Sequence, residues 1–196
     1  MFSGAPLVLA STSSGRRALL DRLHVPYEAM SPDLDEDTIG GDSAEEIARG
    51  RARAKAERVA SLRPDALVIG ADQVVEVDGA ILGKPGTDER AVAQLRQLAG
   101  RMHRLITAVA LVGRGAPEGG ESGIAVHRMT MRPLDDAEIR RYVAADAPAA
   151  CAGSYKVESL GIALFERIEG DDWTAIVGLP LMMVCSMLRR AGWALP

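Results

Sequence analysis

The sequence predicts an α/β fold, and three observations carry that prediction. Short apolar runs with strand character recur between segments of helical periodicity along the whole chain. The helical segments open on capping residues and close on glycine: Ser43-Ala-Glu-Glu46 is a capping box, and Gly100 follows a helix capped by Thr87. The composition, 47% apolar and 26% charged over 196 residues, is that of a globular protein able to bury a core as one domain or a closely joined pair.

In chain order, residues 7–10 form a short strand. The hydroxyl-rich loop Ser11-Thr-Ser13-Ser-Gly15-Arg16-Arg17 leads from it into a helical pattern over 18–23. Such a loop at a helix N-terminus offers backbone N–H groups to an anion, and two arginines in the first turn oppose the helix dipole until an anion joins them. The plain alternative is a serine cap with solvated arginines. Residues 27–31 read as a second strand, leading to the acidic loop Asp33-Leu-Asp-Glu36-Asp37. Thr38 and Ala44 occupy the glycine and glutamate positions of a calcium loop, which excludes that motif and leaves a solvated loop or a carboxylate reaching magnesium. A long helix follows over 43–63, with Lys55 pointing inward only if the helix flanks the site.

The central stretch, residues 66–85, carries the most chemistry. A buried-strand pattern over 66–69 ends in Gly-Ala, and Asp72 stands where the apolar run should continue. Val74, Val75 and Val77 resume a strand, Asp78-Gly79 is a hairpin signal, and the returning arm delivers Lys84 beside Pro85. A carboxylate and an ammonium thus ride on one hairpin, as a surface ion pair or as parts of a site. Beyond it come a helix over 87–98 and long strands over 102–112 and 124–131 joined by a glycine-rich tip. A helix over 135–145 and a polar loop over 151–161 lead to paired strands over 162–168 and 173–177, turning at Glu169-Gly-Asp-Asp172. A last helix starts at Pro180.

Composition and motifs exclude several functions. Net charge is −4 and aromatic content 4%, against a nucleic-acid surface. Cys151 and Cys185 are far apart and read as reduced, buried thiols. No signal peptide is legible, and the longest apolar stretch, 179–188, is too short to span a bilayer, so a cytoplasmic location is expected. Residues 79–84 are one short of a phosphate loop and Pro85 replaces its Ser/Thr; His24, His103 and His127 are scattered; neither a nucleophile elbow nor a dinucleotide fingerprint is present. Oxygen-ligand metal chemistry on phosphates remains.

Ser11-x-Ser13 with Arg16, then Glu36, Lys55, Gly70-Ala-Asp72, Gly83-Lys84-Pro85, Ala152-Gly-Ser-Tyr155 and Val177-Gly-Leu-Pro180, in that order over nearly the whole chain, resemble the Maf family of nucleoside triphosphate pyrophosphatases. The resemblance implies an elongated mixed β-sheet flanked by helices, a single domain over residues 1–196 with two lobes and a central cleft, a divalent metal cofactor (Mg2+ or Mn2+) and a homodimer. Gln73 and Lys156-Val-Glu158 resemble the branch that acts on 7-methyl-GTP; the branch acting on dTTP and UTP has threonine at 73 and glutamine at 158. A carboxylate at 158 can accept hydrogen bonds from guanine N1–H and its 2-amino group, which thymine lacks. That branch usually carries Pro-Trp where this chain has Ser14-Gly15, and Gly15 offers no face to stack on a cationic base.

The resemblance implies hydrolysis between the α and β phosphates, giving a nucleoside monophosphate and pyrophosphate. Arg16, Lys55 and Lys84 would hold the triphosphate, with Ser11, Ser13 and amides near Gly15 completing the cradle. Glu36 and Asp72 would ligate the metal, and Asp72 is the candidate base, directly or through the metal. Gln73, Lys156 and Glu158 would read the base. A reading from another class is a non-catalytic nucleotide-binding regulator of septum formation, which needs neither a catalytic acid nor metal carboxylates.

Overall fold

A computed structural model describes residues 4–195. The α/β expectation is met by a seven-stranded mixed sheet and five α-helices, in the strand order β2-β1-β3-β5-β6-β7 with β4 paired to β3. The strands are β1 (Leu7–Leu9), β2 (Glu28–Ala29), β3 (Leu67–Val77), β4 (Ala80–Leu82), β5 (Met102–Gly113), β6 (Glu121–Met131) and β7 (Phe165–Glu169). The helices are α1 (Ser14–Asp21), α2 (Ala44–Leu62), α3 (Asp88–Leu98), α4 (Asp136–Asp146) and α5 (Leu181–Arg190).

The chain forms two compact units. The first holds the chain up to Asp72, Thr107–Ala125 and the chain from Asp172; the second holds Gln73–Ile106 and Val126–Asp171. In the first unit, β1 runs parallel to β2 and to β3, with Leu7, Val8 and Leu9 opposite Leu67, Val68 and Ile69. Both strands are buried apolar runs, as expected of parallel strands covered on both faces. Their side chains join Leu19 and Leu20 of α1 and Val184, Met187 and Leu188 of α5 in one core. Helix α2 packs on β3 through small residues. A Cβ on Gly70 would lie 2.2 Å from the Ala52 carbonyl oxygen and 2.8 Å from Ala56 Cβ, so only glycine admits the helix at this distance.

In the second unit, β3 turns into β4 at Asp78 and Gly79, both with positive φ (48° and 79°), the two-residue hairpin geometry the sequence announces. Helix α4 carries a complete capping box between Asp135 and Glu138.

Three local expectations are corrected. Strand β3 runs unbroken through Gly70-Ala71-Asp72, because Asp72 finds a cation inside the protein. Residues 162–168 and 173–177 are not paired strands: 3₁₀ turns span Leu160–Leu164 and Trp173–Val177, while β7 pairs antiparallel with β6. Asp172 causes the second difference, since its side chain caps the turn by accepting from the Thr174 N–H at 3.0 Å. Helix α1 spans Ser14–Asp21, capped by Ser13, and so begins ahead of the helical pattern expected over 18–23, with both arginines in its first turn as expected.

Candidate functional site

The first unit holds seven of the site residues singled out in the sequence. Helix α2 presents Ala48, Ala52, Lys55, Ala56 and Val59 as its buried side, so Lys55 takes a core position in a stripe of small and apolar residues. The close approach allowed by Gly70 delivers its ammonium onto Asp72, two residues further along β3, with Nζ 2.6 Å from Asp72 Oδ1. Glu36, on the 3₁₀ turn Glu36–Thr38, reaches the same ammonium at 2.9 Å. Lys55 and Asp72 are both nearly inaccessible (4% and 3% exposed), and Glu36 is half-buried. One buried cation thus holds two carboxylates together. Asp72 Oδ2 is buried and has no hydrogen-bond partner among the described residues.

Arg16 enters the same unit from α1. Its Nε donates to the Gly178 carbonyl at 2.9 Å and its Nη1 to Ser11 Oγ at 3.3 Å. Burial pulls the guanidinium below its ordinary pKa, and the charges of Asp72 and Glu36 pull it back up. Ser11 Oγ also accepts from the Ser13 N–H at 3.2 Å, and Ser13 Oγ accepts from the Arg16 N–H as the cap of α1. The serine cap and the loop expected to meet an anion are therefore the same segment. No acidic residue lies in the first turn of α1 to offset its dipole.

Gly15 packs against Val177, 3.2 Å from where a Cβ would stand. Tyr155 is buried against His103 and Phe165. Trp173 is 56% exposed, but its ring lies under the Arg22 guanidinium at 5.0 Å, and Arg22 stands seven residues, roughly 10 Å of helix, beyond Gly15.

The other predicted residues belong to the second unit. Gln73 follows Asp72 on β3 and is partly buried; Lys84, beyond β4, and Glu158 are exposed. Lys156 is tied to the end of α4: its Nζ donates to the Asp146 carbonyl at 2.5 Å and its backbone N–H to the Tyr142 hydroxyl at 3.0 Å. That is a helix-terminus contact, and it occupies the ammonium expected at the base. Lys84, Lys156 and Glu158 all act electrostatically on Cys151, whose thiol burial pushes up.

Among the described residues no group of three or more His, Cys, Asp and Glu could form a metal cage. Glu36 and Asp72 nevertheless fit a divalent cation of the magnesium type, which keeps several waters and takes one or two carboxylates with substrate phosphates. The unpartnered Asp72 Oδ2 is the observation that supports this fit.

Sequence reasoning missed Asp172 and Thr174, whose side chains hold the turn that carries Gly178. The available signal was Asp-x-Thr ahead of Gly-Leu-Pro, a capping pattern that was read as a hairpin turn.

Known relatives match most of the chain. A 7-methyl-GTP pyrophosphatase of Polaromonas sp. (strain JS666 / ATCC BAA-500) is 52% identical over 192 residues, covering 97% of this chain and 86% of that protein. One of Xanthomonas campestris pv. campestris (strain 8004) is 48% identical over 191 residues, covering 97% and 98%. Among solved structures, the Staphylococcus aureus Ham1 protein aligns at 21% identity with a TM-score of 0.44, over 67% of this chain and 72% of that one. The model of the Maf-like protein family matches residues 6–191, and the chain belongs to the Maf family.

Proposed function

We propose that this chain hydrolyses a nucleoside triphosphate between its α and β phosphates, releasing a nucleoside monophosphate and pyrophosphate. The observation that carries the reading is Asp72: a buried carboxylate with one oxygen on Lys55 and the other without a partner. A buried charge left half-satisfied costs several kcal/mol, and a site that binds a polar or cationic ligand is where such a cost persists.

In this reading Asp72 Oδ2 accepts the proton of the attacking water. The water oxygen bonds to the α-phosphorus, the bond to the bridging oxygen breaks, and its electron pair leaves with pyrophosphate. Lys55 fixes Asp72 and Glu36 in place, a positioning role rather than the phosphate contact expected from the sequence alone. The Arg16 N–H groups not spent on Gly178 and Ser11 offer bidentate contact to phosphate. Glu36 and Asp72 would hold the magnesium or manganese ion, which when bound offsets the charge of the phosphate oxygens. Lys84 would offset the negative charge that develops on the leaving pyrophosphate.

The base we assign is 7-methylguanine. The curated relatives at about half identity carry that activity in their names, and Glu158 can accept from guanine N1–H and the 2-amino group. The methylated ring is cationic, which a carboxylate favours. With nucleotides as substrates the chain acts in the cytoplasm in this reading; no described helix is long and apolar enough to cross a membrane. The resemblance implies a homodimer.

The test is pyrophosphate release with magnesium from a panel of 7-methyl-GTP, GTP, UTP and dTTP. Turnover highest on 7-methyl-GTP is expected. Release from UTP or dTTP alone would move the chain to the other branch, and no release from any nucleotide would remove the enzyme.

A further inference from the structure

We propose that Asp172 and Thr174 are positioning residues for Arg16, acting through the carbonyl of Gly178; the proposal rests on the reading of Arg16 as a phosphate-holding side chain. Arg16 is long and flexible, and its direction depends on what its Nε finds. That partner, the Gly178 carbonyl at 2.9 Å, belongs to no helix or strand. It sits where the 3₁₀ turn Trp173–Val177 hands over to α5, at a residue with φ 111°, and a Cβ at Gly178 would lie 3.3 Å from Arg16 Nε. Glycine is required there by backbone and by neighbour alike. Something else must hold the carbonyl in place.

Two buried side chains bracket the turn. Asp172 Oδ1 accepts from the Thr174 N–H at 3.0 Å and from Thr174 Oγ1 at 2.5 Å, and Asp172 Oδ2 accepts from the Met182 N–H at 2.9 Å. Thr174 Oγ1 in turn accepts from the Leu181 N–H at 2.8 Å. Pro180, the residue at the N-cap of α5, has no side chain able to cap it, so Asp172 and Thr174 satisfy the first donors of α5 from upstream. Both ends of the turn are thereby fastened to one carboxylate. Its middle is fastened to β5, where Thr107 Oγ1 donates to the Ala175 carbonyl at 2.8 Å, the same oxygen that accepts from the Gly178 N–H at 2.9 Å. Every bond in the bracket constrains where the Gly178 carbonyl points, and that carbonyl orients the guanidinium.

A cap that merely stabilises α5 would leave Arg16 unaffected, which separates the two roles. Thr174→Val keeps the shape and removes the hydroxyl; Thr174→Ser keeps the hydroxyl. Inorganic pyrophosphate with magnesium is titrated calorimetrically into the full chain, and the Arg16 Nε–H resonance is followed by NMR without any ligand. Thr174→Val is expected to weaken pyrophosphate about tenfold and to turn the Arg16 Nε–H from a protected into a rapidly exchanging proton, and Thr174→Ser to recover most of both. In an Arg16→Ala background, Thr174→Val is expected to change the affinity less than about twofold, because the residue it acts through is gone. Equal weakening with and without Arg16, or an unchanged Nε–H signal, overturns the proposal. Asp172→Asn, which turns an acceptor toward the Met182 N–H into a donor, carries the same cycle should Thr174→Val fail to fold. If Arg16→Ala itself leaves pyrophosphate binding unchanged, the phosphate reading fails, while the Nε–H signal still decides whether the bracket orients Arg16.

Discussion

Both units of this protein bury polar groups that leave an atom without a hydrogen bond among the described residues, and two of them, Asp72 and His103, differ in charge. At Asp72, in the first unit, the atom is Oδ2, on a carboxylate that shares the Lys55 ammonium with Glu36. At His103, in the second, it is Nδ1; Nε2 bonds the Tyr155 hydroxyl at 3.0 Å and the ring lies 5.9 Å from that of Phe165. Burial holds the His103 imidazole down at about 4, so at neutral pH it is an uncharged ring among rings, and burial likewise pushes the Tyr155 hydroxyl upward. A neutral orphan costs about 1–3 kcal/mol, which the surrounding aromatic packing can absorb. A buried carboxylate oxygen left without a partner costs more. The same defect is thus structural at His103 and points to a ligand at Asp72.

The strongest way to break this contrast is to neutralise Asp72. Asp72→Asn should cut pyrophosphate release by about 10³-fold or more while leaving a cooperative thermal transition, since the amide keeps the volume of the carboxylate. Retained turnover would return Asp72 to the same structural class as His103. Lys55→Met comes next. It leaves two carboxylates without their cation and should destabilise the chain by about 3 kcal/mol in denaturant titration. Adding Asp72→Asn to Lys55→Met should recover a good part of that loss, and a strictly additive pair would mean that the three charges do not act as a unit.

What could be read from the sequence divides along the same line. The order of strands and helices was legible because each element carries its own periodicity and caps, as with Ser43 before α2 and Asp78-Gly79 after β3. Ser11, Arg16, Glu36, Lys55 and Asp72 were legible as a set through the resemblance to the Maf family, whose motifs carry them in this order. What Lys55 bonds to was not legible, since that depends on how closely α2 approaches β3, and so on the absence of a side chain at Gly70. The segment after β7 was misread because Trp173–Val177 has strand-forming composition, while its conformation is set by Asp172 and Thr174 through contacts with α5. Lys156 looked like a base contact and is occupied by a helix terminus that local pattern could not place beside it.

The neutral side of the contrast is sharpened by pH. His103 is depressed to about 4 from an unfolded value near 6.5, so above pH 6.5 it is neutral in both states and has no effect on the balance. As pH falls below 6.5 the unfolded chain takes up a proton that the folded chain refuses, and stability drops until the folded pKa is reached. By pH 5 the loss attributable to His103 should be about 2 kcal/mol. His103→Gln should flatten the stability-versus-pH curve by that amount over this window. An unchanged slope would mean that His103 is already protonated in the fold and that the two units do not differ as described.

The smallest expected effect concerns Glu158, an exposed carboxylate of the second unit. Its proposed work is selection among bases, and an exposed acid can contribute only the difference between accepting a pair of guanine N–H groups and leaving them to water. Glu158→Gln replaces one acceptor oxygen by a donor and removes the charge that favours a methylated, cationic ring. The kcat/KM ratio of 7-methyl-GTP over UTP should fall about tenfold, with turnover on the better substrate reduced less than in any Asp72 variant. A ratio unchanged by the substitution would separate the two units completely, leaving the charged cluster to catalyse and some other group to read the base.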